Sequence, residues 1–263
     1  MLAAVIPACN EADSISYVIE NLLKINIDRI FLVANGCMDA TCEQALRCAN
    51  EDILHLLNFP EQLGYDIPRA IGAAYARRLN PSVILFIDGD MKGDIYYALL
   101  DLIAGVQKGL DMALTNCYPY IYQRSELALS VIKERETLNR RLGLFNKIGL
   151  ATPSHGPHAI SGSFLQAVPD KVIAIPPLSL AYAALNGFKV GVAAAIPHRL
   201  LGSHFRNGKH AAMIAQTIIG DCRQALSYVN GEPLETVIDS KENQIGYRPG
   251  RRFDLLTSNP VPL

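Results

Sequence analysis

Val83 to Met91 reads VILFIDGDM, and this stretch decides the fold. An uninterrupted apolar run of strand length, without polar alternation, suits a strand covered on both faces, which is the habit of parallel sheets. It ends abruptly in Asp88-Gly89-Asp90. Two carboxylates at i and i+2 on a strand-end turn can reach one centre, and their repulsion calls for a cation or for donor groups. Hard oxygen ligands with an open side suit Mg2+ or Mn2+ carrying a substrate phosphate. An ordinary polar turn before the helical stretch KGDIYYALLDLI explains the same three letters, and the tripeptide alone does not choose.

Outward from this strand, apolar runs recur at LAAVIP, RIFLVA, DILHLLN and DMALTN. Segments with helical spacing lie between them, such as Ile15, Val18, Ile19, Leu22 and Leu23. The alternation predicts an α/β fold with a mostly parallel sheet between helices. Ligands of such sheets bind outside the carboxyl ends of the strands. The residues there are polar: Asn10-Glu11, then Asn35 to Asp39, then FPEQLGYDIPRA, then Asp88-Gly89-Asp90. From Ser125 the rhythm is less regular, with a charged helical stretch to Asn146, a Gly/Pro loop, and a last long helix predicted over GKHAAMIAQTIIGDCRQALSYV. The expected organisation is one domain over residues 1–230, split into halves 1–118 and 119–230. Residues 231–263 form a polar, proline-bearing tail read as an extended arm or partly disordered segment.

Composition narrows the class. With 263 residues, 50% of them apolar, the chain can bury a sizeable core. A net charge of -1 from 24 basic and 25 acidic residues gives no global field for nucleic acid. The 6 cysteines form no CxxC pair and read as reduced thiols. No secretory leader is recognised, and the most apolar later region is interrupted well short of the about 20 residues a membrane span needs, so a cytoplasmic protein is expected. The sequence is compatible with a homodimer.

Four stretches, VIPACNEADSISYVIENLL, FLVANGCMDAT, GYDIPRAIGAAYA and VILFIDGDM, occur in an order and spacing that resemble the nucleotide-sugar-binding half of family-2 glycosyltransferases. The resemblance covers Leu2 to about Asp94. It extends more loosely over Ile160 to Arg206, where the acceptor half would lie. It implies a GT-A type α/β/α sandwich and transfer of a sugar from a nucleoside-diphosphate sugar to a small or lipid-linked acceptor, assisted by Mg2+ or Mn2+. By the same resemblance Pro7, Asn10 and Glu11 hold the nucleoside, and Asn35, where many relatives carry Asp, reads the base. Gly64, Asp66 and Arg69 belong to the diphosphate motif. Asp88 and Asp90 are the catalytic aspartates, Asp88 toward ribose or sugar hydroxyls and Asp90 on the metal. Some retaining relatives complete the metal shell with a late histidine; among His198, His204 and His210 the motif favours His204.

One departure bears on chemistry. Inverting relatives carry an acidic general base where this chain reads IPPLSLAYAALNGF, with no carboxylate. The base then comes from Asp170, Glu126 or Glu136, or the reaction retains configuration with the donor phosphate taking the proton, or catalysis is absent. Retention is favoured. His155 and His158 could touch the acceptor. The basic group Lys133, Arg135, Arg140, Arg141 and Lys147 is either a grip for a phosphorylated or carboxylated acceptor or a solvated helix face. The alternatives in other classes are a non-catalytic nucleotide-sugar-binding module and a nucleotidyltransferase, though the glycine-rich basic loop of the latter is missing after the first strand.

Overall fold

The computed structural model describes residues 1–120, 125–203, 207–241 and 244–256. The first half alternates β1 (Leu2–Ala8), α1 (Ile15–Lys24), β2 (Arg29–Asn35), α2 (Thr41–Cys48), β3 (Leu54–Phe59), α3 (Ile67–Arg77), β4 (Val83–Phe86), α4 (Tyr96–Gln107) and β5 (Met112–Asn116). The second half holds α5 (Glu126–Arg141), α6 (Phe145–Ile148), β6 (His158–Ser161), α7 (Gly162–Ala167), α8 (Asp170–Ile173), α9 (Pro176–Leu185), β7 (Val190–Ala195), α10 (Gly208–Val229) and α11 (Leu234–Asp239).

One sheet carries the strands in the order β3-β2-β1-β4-β6-β5-β7. The pairs β3/β2, β2/β1, β1/β4 and β5/β7 are parallel, and β6 runs antiparallel to both β4 and β5. The expected α/β class and mostly parallel sheet are what the chain forms. Ala3 and Val5 of β1 join Ile84 and Phe86 of β4 in one core layer, while Ala4, Ile6, Val83 and Leu85 join the other. Both faces of these strands are therefore buried, as their unbroken apolar runs require. In α1 the residues Ile15, Val18, Ile19 and Leu22, spaced i, i+3, i+4, i+7, are buried against the second layer.

Two features place the site. Gly72 lets α3 lie directly on β1, because a Cβ there would come within 2.4 Å of Val5 Cγ1. β4 ends at Phe86, but backbone bonds from Ile87 N to Val5 O and from Gly89 N to Pro7 O, each 3.1 Å, carry its pairing with β1 through the aspartate turn. Asp88 is thus held between two rungs of the sheet.

The segment after Asn230 differs from the expected arm over the residues described. Val237 of α11 is fully buried, Arg248 and Arg251 are buried, and Arg252 N donates to Leu63 O at 2.9 Å. Arg248 and Arg251 of this segment pair with carboxylates inside the protein. All 6 cysteines are free thiols. Among the described residues no helix is long and apolar enough to cross a membrane.

Candidate active site

A cavity of about 560 Å3 opens at the carboxyl ends of β1, β2 and β4, and its lining includes Pro7, Glu11, Asn35, Gly64, Asp66, Arg69, Asp88 and Asp90. The ends of separate strands and the start of α3 thus bring these expected site residues together. Asn10 does not line it. This residue is exposed with φ +59°, and its Oδ1 accepts from Met38 N at 2.8 Å, tying the loop after β1 to the loop after β2.

Arg69 is the electrostatic centre. Although only 6% exposed, it places Nη2 2.7 Å from Asp88 Oδ1 and Nε 3.4 Å from Asp66 Oδ1. The second contact is an ion pair without hydrogen-bond alignment, and Nε has no hydrogen-bond partner. Burial alone would depress the Arg69 pKa, but Asp88 and Asp66 outweigh it and raise it. A permanent cation beside two carboxylates suits the binding of a diphosphate.

Asp66 sits at φ +65° in the left-handed region, immediately before α3. Aspartate tolerates that conformation better than branched residues do. Gly64 precedes it with φ +88°, and a Cβ at Gly64 would come within 2.3 Å of Gly250 O. The turn therefore packs backbone to backbone against the returning C-terminal segment. Burial raises the Asp66 carboxyl from 3.8 to about 6, even though Arg69 and Arg251 pull it down. Arg251 Nη2 lies 3.0 Å from Asp66 Oδ2, and the same guanidinium grips Asp221 of α10 at 2.7 Å through both Nη atoms. Nothing in the sequence spacing signals this contact, since 185 positions separate Asp66 from Arg251.

The residues expected on the nucleoside are more tightly wired than their letters suggest. Asn35 Oδ1 accepts from Leu63 N at 2.6 Å, so its Oδ1 is engaged within the protein. Glu11 is 8% exposed; its amide donates to Thr41 Oγ1 at 2.7 Å, and Ser14 Oγ donates to its Oε2 at 3.3 Å. Burial pushes Asp39 up, but hydrogen bonds from Thr41 and from the amides of Ala12 and Thr41 hold its carboxyl below the usual value.

A second cavity of about 410 Å3 adjoins the first, and Tyr65, Asp66, Arg69, Asp88, Asp90 and His210 line both. Its far wall includes Tyr118, Arg135, Ser154, His155 and His198. Arg135 leaves the basic group and turns inward: it is 1% exposed, while Lys133, Arg140, Arg141 and Lys147 stay at the surface. Its Nη1 donates to Tyr118 Oη at 2.9 Å and to His155 Nδ1 at 3.1 Å, and Nη2 donates to Ser154 Oγ at 3.3 Å. No carboxylate is among these partners, and Nε has no partner. Because arginine only donates, His155 Nδ1 must accept, so Nε2 carries the proton and donates to His198 Nδ1 at 2.7 Å. One arginine thus sets the tautomer of two histidines.

Other candidates lie elsewhere. Asp170 pairs with Arg77, Glu136 pairs with Arg140 at 2.8 Å, and neither these nor Glu126 lines either cavity. His158 is 4% exposed, stacks on Phe86 with ring centroids 4.9 Å apart, and is pushed well below its ordinary pKa by burial and by Arg69. It belongs to the core. His204 lies outside the described residues, while His210 bonds Tyr247 Oη at 2.8 Å beside the aspartates. A further cavity of about 470 Å3, lined by Met1, Pro81 and Ser161 among others, opens at the amino end of β4 and holds none of the expected residues.

The sequence profile of glycosyl transferase family 2 matches residues 3–164, more than half of the chain. The chain belongs to glycosyl transferase family 2. The match spans every first-half element from β1 to β5 and runs through β6 into α7. Among solved structures, glucosyl-3-phosphoglycerate synthase from Mycobacterium tuberculosis with Mn2+, UDP and phosphoglyceric acid superposes with a TM-score of 0.63 at 17% identity, covering 89% of this chain and 79% of that one. The same synthase with Mn2+, UDP-glucose and phosphoglyceric acid gives 0.64 at 15% identity, covering 89% and 80%. A third, with Mg2+ and UDP, gives 0.63 at 17% identity, covering 89% and 80%. At these identities the likeness establishes the GT-A fold that the sequence resemblance implied. No curated protein matches the chain in sequence.

Proposed function

We propose that this family-2 member transfers a sugar from a nucleoside-diphosphate sugar to a small anionic acceptor, with retention of configuration. The observation that carries the donor side is the Asp66–Arg69–Asp88 cluster, facing a cavity at the carboxyl ends of β1, β2 and β4. Pro7, Glu11 and the Nδ2 of Asn35 would meet the nucleoside, and Gly64 and Arg69 the diphosphate.

Asp88 and Asp90 offer hard oxygen donors at the cavity wall, and no group of three His, Cys, Asp or Glu ligands exists among the described residues. That fits Mg2+ or Mn2+, which commonly take one or two carboxylates and complete their shell with substrate phosphate. Asp90, with Asp88 beside it and His204 as the further ligand its motif suggests, would hold the ion, whose positive charge would offset charge developing on the leaving diphosphate. Arg69 supports the same negative charge from the other side and fixes the Asp88 rotamer.

The second cavity suits the acceptor. Arg135, buried without a carboxylate partner, favours an acceptor that brings a carboxylate or phosphate, and the related synthase is described with phosphoglyceric acid. Among the described residues the carboxylates lining the second cavity are Asp66, Asp88, Asp90 and Asp221; Asp66, Asp88 and Asp221 pair with arginines, and we assign Asp90 to the metal. With no further carboxylate of the described residues lining the cavity, we favour retention with the donor phosphate accepting the acceptor proton.

The test is release of nucleoside diphosphate from UDP-glucose and other nucleotide sugars, with Mn2+ or with EDTA, in the presence of 3-phosphoglycerate, glycerol 3-phosphate and their uncharged analogues. Metal-dependent turnover with a charged acceptor supports the reading, and the anomeric proton coupling of the product decides retention. Metal-dependent binding without turnover on any acceptor leaves a nucleotide-sugar-binding module instead.

A further inference from the structure

We propose that Arg251, far outside the part of the chain that carries the family motifs, is a positioning residue of the donor site. This rests on the functional reading above. Arg251 joins two carboxylates from different elements: Asp221 in the middle of α10, gripped by both Nη atoms at 2.7 Å, and Asp66 at the start of α3, 3.0 Å from Nη2. Asp66 leads on to Arg69 at 3.4 Å and Arg69 to Asp88 at 2.7 Å. Charges alternate along this path, Asp221, Arg251, Asp66, Arg69 and Asp88, so each side chain fixes the orientation of the next.

The backbone repeats the message. Arg251 Nε donates to Tyr65 O at 2.8 Å, and Gly64 packs on Gly250 too closely to admit a side chain at either the distance or the φ observed. Tyr65 and Tyr247 stack with ring centroids 5.8 Å apart. The loop that presents Asp66 is therefore held from behind by residues 247–252. Without Arg251, Asp66 would sit 8% exposed at φ +65° with only the unaligned Arg69 contact to hold it, and Arg69 would lose the carboxylate that balances its pull toward Asp88.

Arg248 supplies the internal control. It too is buried, 3% exposed, and its Nε bonds Asp221 Oδ1 at 2.8 Å while Nη2 bonds Gln224. It has the same neighbourhood and a similar structural weight, but no contact with Asp66.

The experiment measures the affinity of the full chain for each common ribonucleoside diphosphate with Mn2+, carries the best binder forward, and reads thermal stability alongside. Arg251→Gln should weaken nucleotide binding at least tenfold, whereas Arg248→Gln should lower the melting temperature and leave affinity within twofold. In an Asp66→Asn background, Arg251→Gln should add little, since the contact it removes is already lost. Should the glutamine variant not fold, Arg251→Lys serves. Its ammonium neutralises Asp221 but lacks the planar fork to reach Asp66 as well, and affinity should again fall at least tenfold. Affinity within twofold of wild type in whichever Arg251 variant folds overturns the proposal and leaves the donor site standing. Failure of the wild-type chain to bind any nucleoside diphosphate with Mn2+ overturns the donor reading and this proposal together.

Discussion

Asp88 Oδ1 accepts a 2.7 Å hydrogen bond from Arg69 Nη2, so one of the two aspartates after β4 carries its own cation before any substrate arrives. Asp88 is locked by arginine and by the rungs on either side of it, and Asp90 is the aspartate that the proposed function assigns to the divalent ion. Asp90→Asn should therefore abolish the difference in nucleotide affinity between Mn2+ and EDTA while leaving the metal-independent component in place. Calorimetric titration under both conditions checks this, and a wild-type metal dependence in the variant would remove Asp90 from the metal.

Arg69 is buried as well as charged, which separates two of its contributions. Arg69→Met keeps much of the stem packing but leaves Asp66 and Asp88 facing each other without their cation. Breaking a buried pair in this way typically costs about 3–5 kcal/mol. Because the Asp88 side chain is 41% exposed and partly screened by solvent, the stability loss should fall below that range, about 2–3 kcal/mol, by urea denaturation. Arg69→Lys should recover most of the stability and little of the nucleotide affinity, since one ammonium cannot span both carboxylates. Equal recovery of both would mean that charge alone, without geometry, is what the site needs.

Asp66 gives a pH signature. Burial raises its carboxyl from 3.8 to about 6 in the folded protein. A raised folded pKa means the native state holds the proton more tightly than the unfolded chain does. Its contribution to stability is thus fully present below pH about 4 and is lost as the pH rises through about 6. Relative to Asp66→Asn, which does not titrate, the wild type should lose at most about 3 kcal/mol across that window. Denaturation of both proteins between pH 4 and pH 7 measures the difference. A constant difference over this range would show that Arg69 and Arg251 cancel the burial effect entirely.

The fold and the donor half were legible in the sequence because they are local. Unbroken apolar runs such as Ile30 to Ala34 and Val83 to Ile87 announce strands buried on both faces, and the polar residues after them mark one sheet edge. The 22-residue helix α10 follows the boundaries its composition suggests. What the sequence did not disclose depends on contacts between distant positions. Arg135 read as part of a basic group that was either an acceptor grip or a solvated helix face, and only the packing of α5 sets it apart, turning it inward while Arg140 and Arg141 stay exposed. Arg248 and Arg251 fell in a segment read as a polar tail because Asp221, the carboxylate that pairs with both, lies 27 and 30 positions away in α10. His158 read as a polar loop residue, but it falls on β6, whose pairing with β4 and β5 places it in the core. Asn10 matched a motif by position, yet its left-handed backbone turns the side chain to the neighbouring loop.

Arg135 separates the two substrates. It lines the second cavity only, and its partners there are Tyr118, Ser154 and His155, all neutral in the hydrogen-bonding arrangement seen. A buried guanidinium without a carboxylate is costly unless a ligand completes it, so under the proposed function an anionic acceptor would offset the cost of ordering this pocket. Arg135→Gln should leave nucleotide affinity with Mn2+ unchanged and raise the KM for a charged acceptor at least tenfold, about 1.4 kcal/mol. If the KM for charged and uncharged acceptors rises equally, Arg135 shapes the pocket without reading charge. A fall in nucleotide affinity instead would place it on the donor side and leave the acceptor's anion to another group.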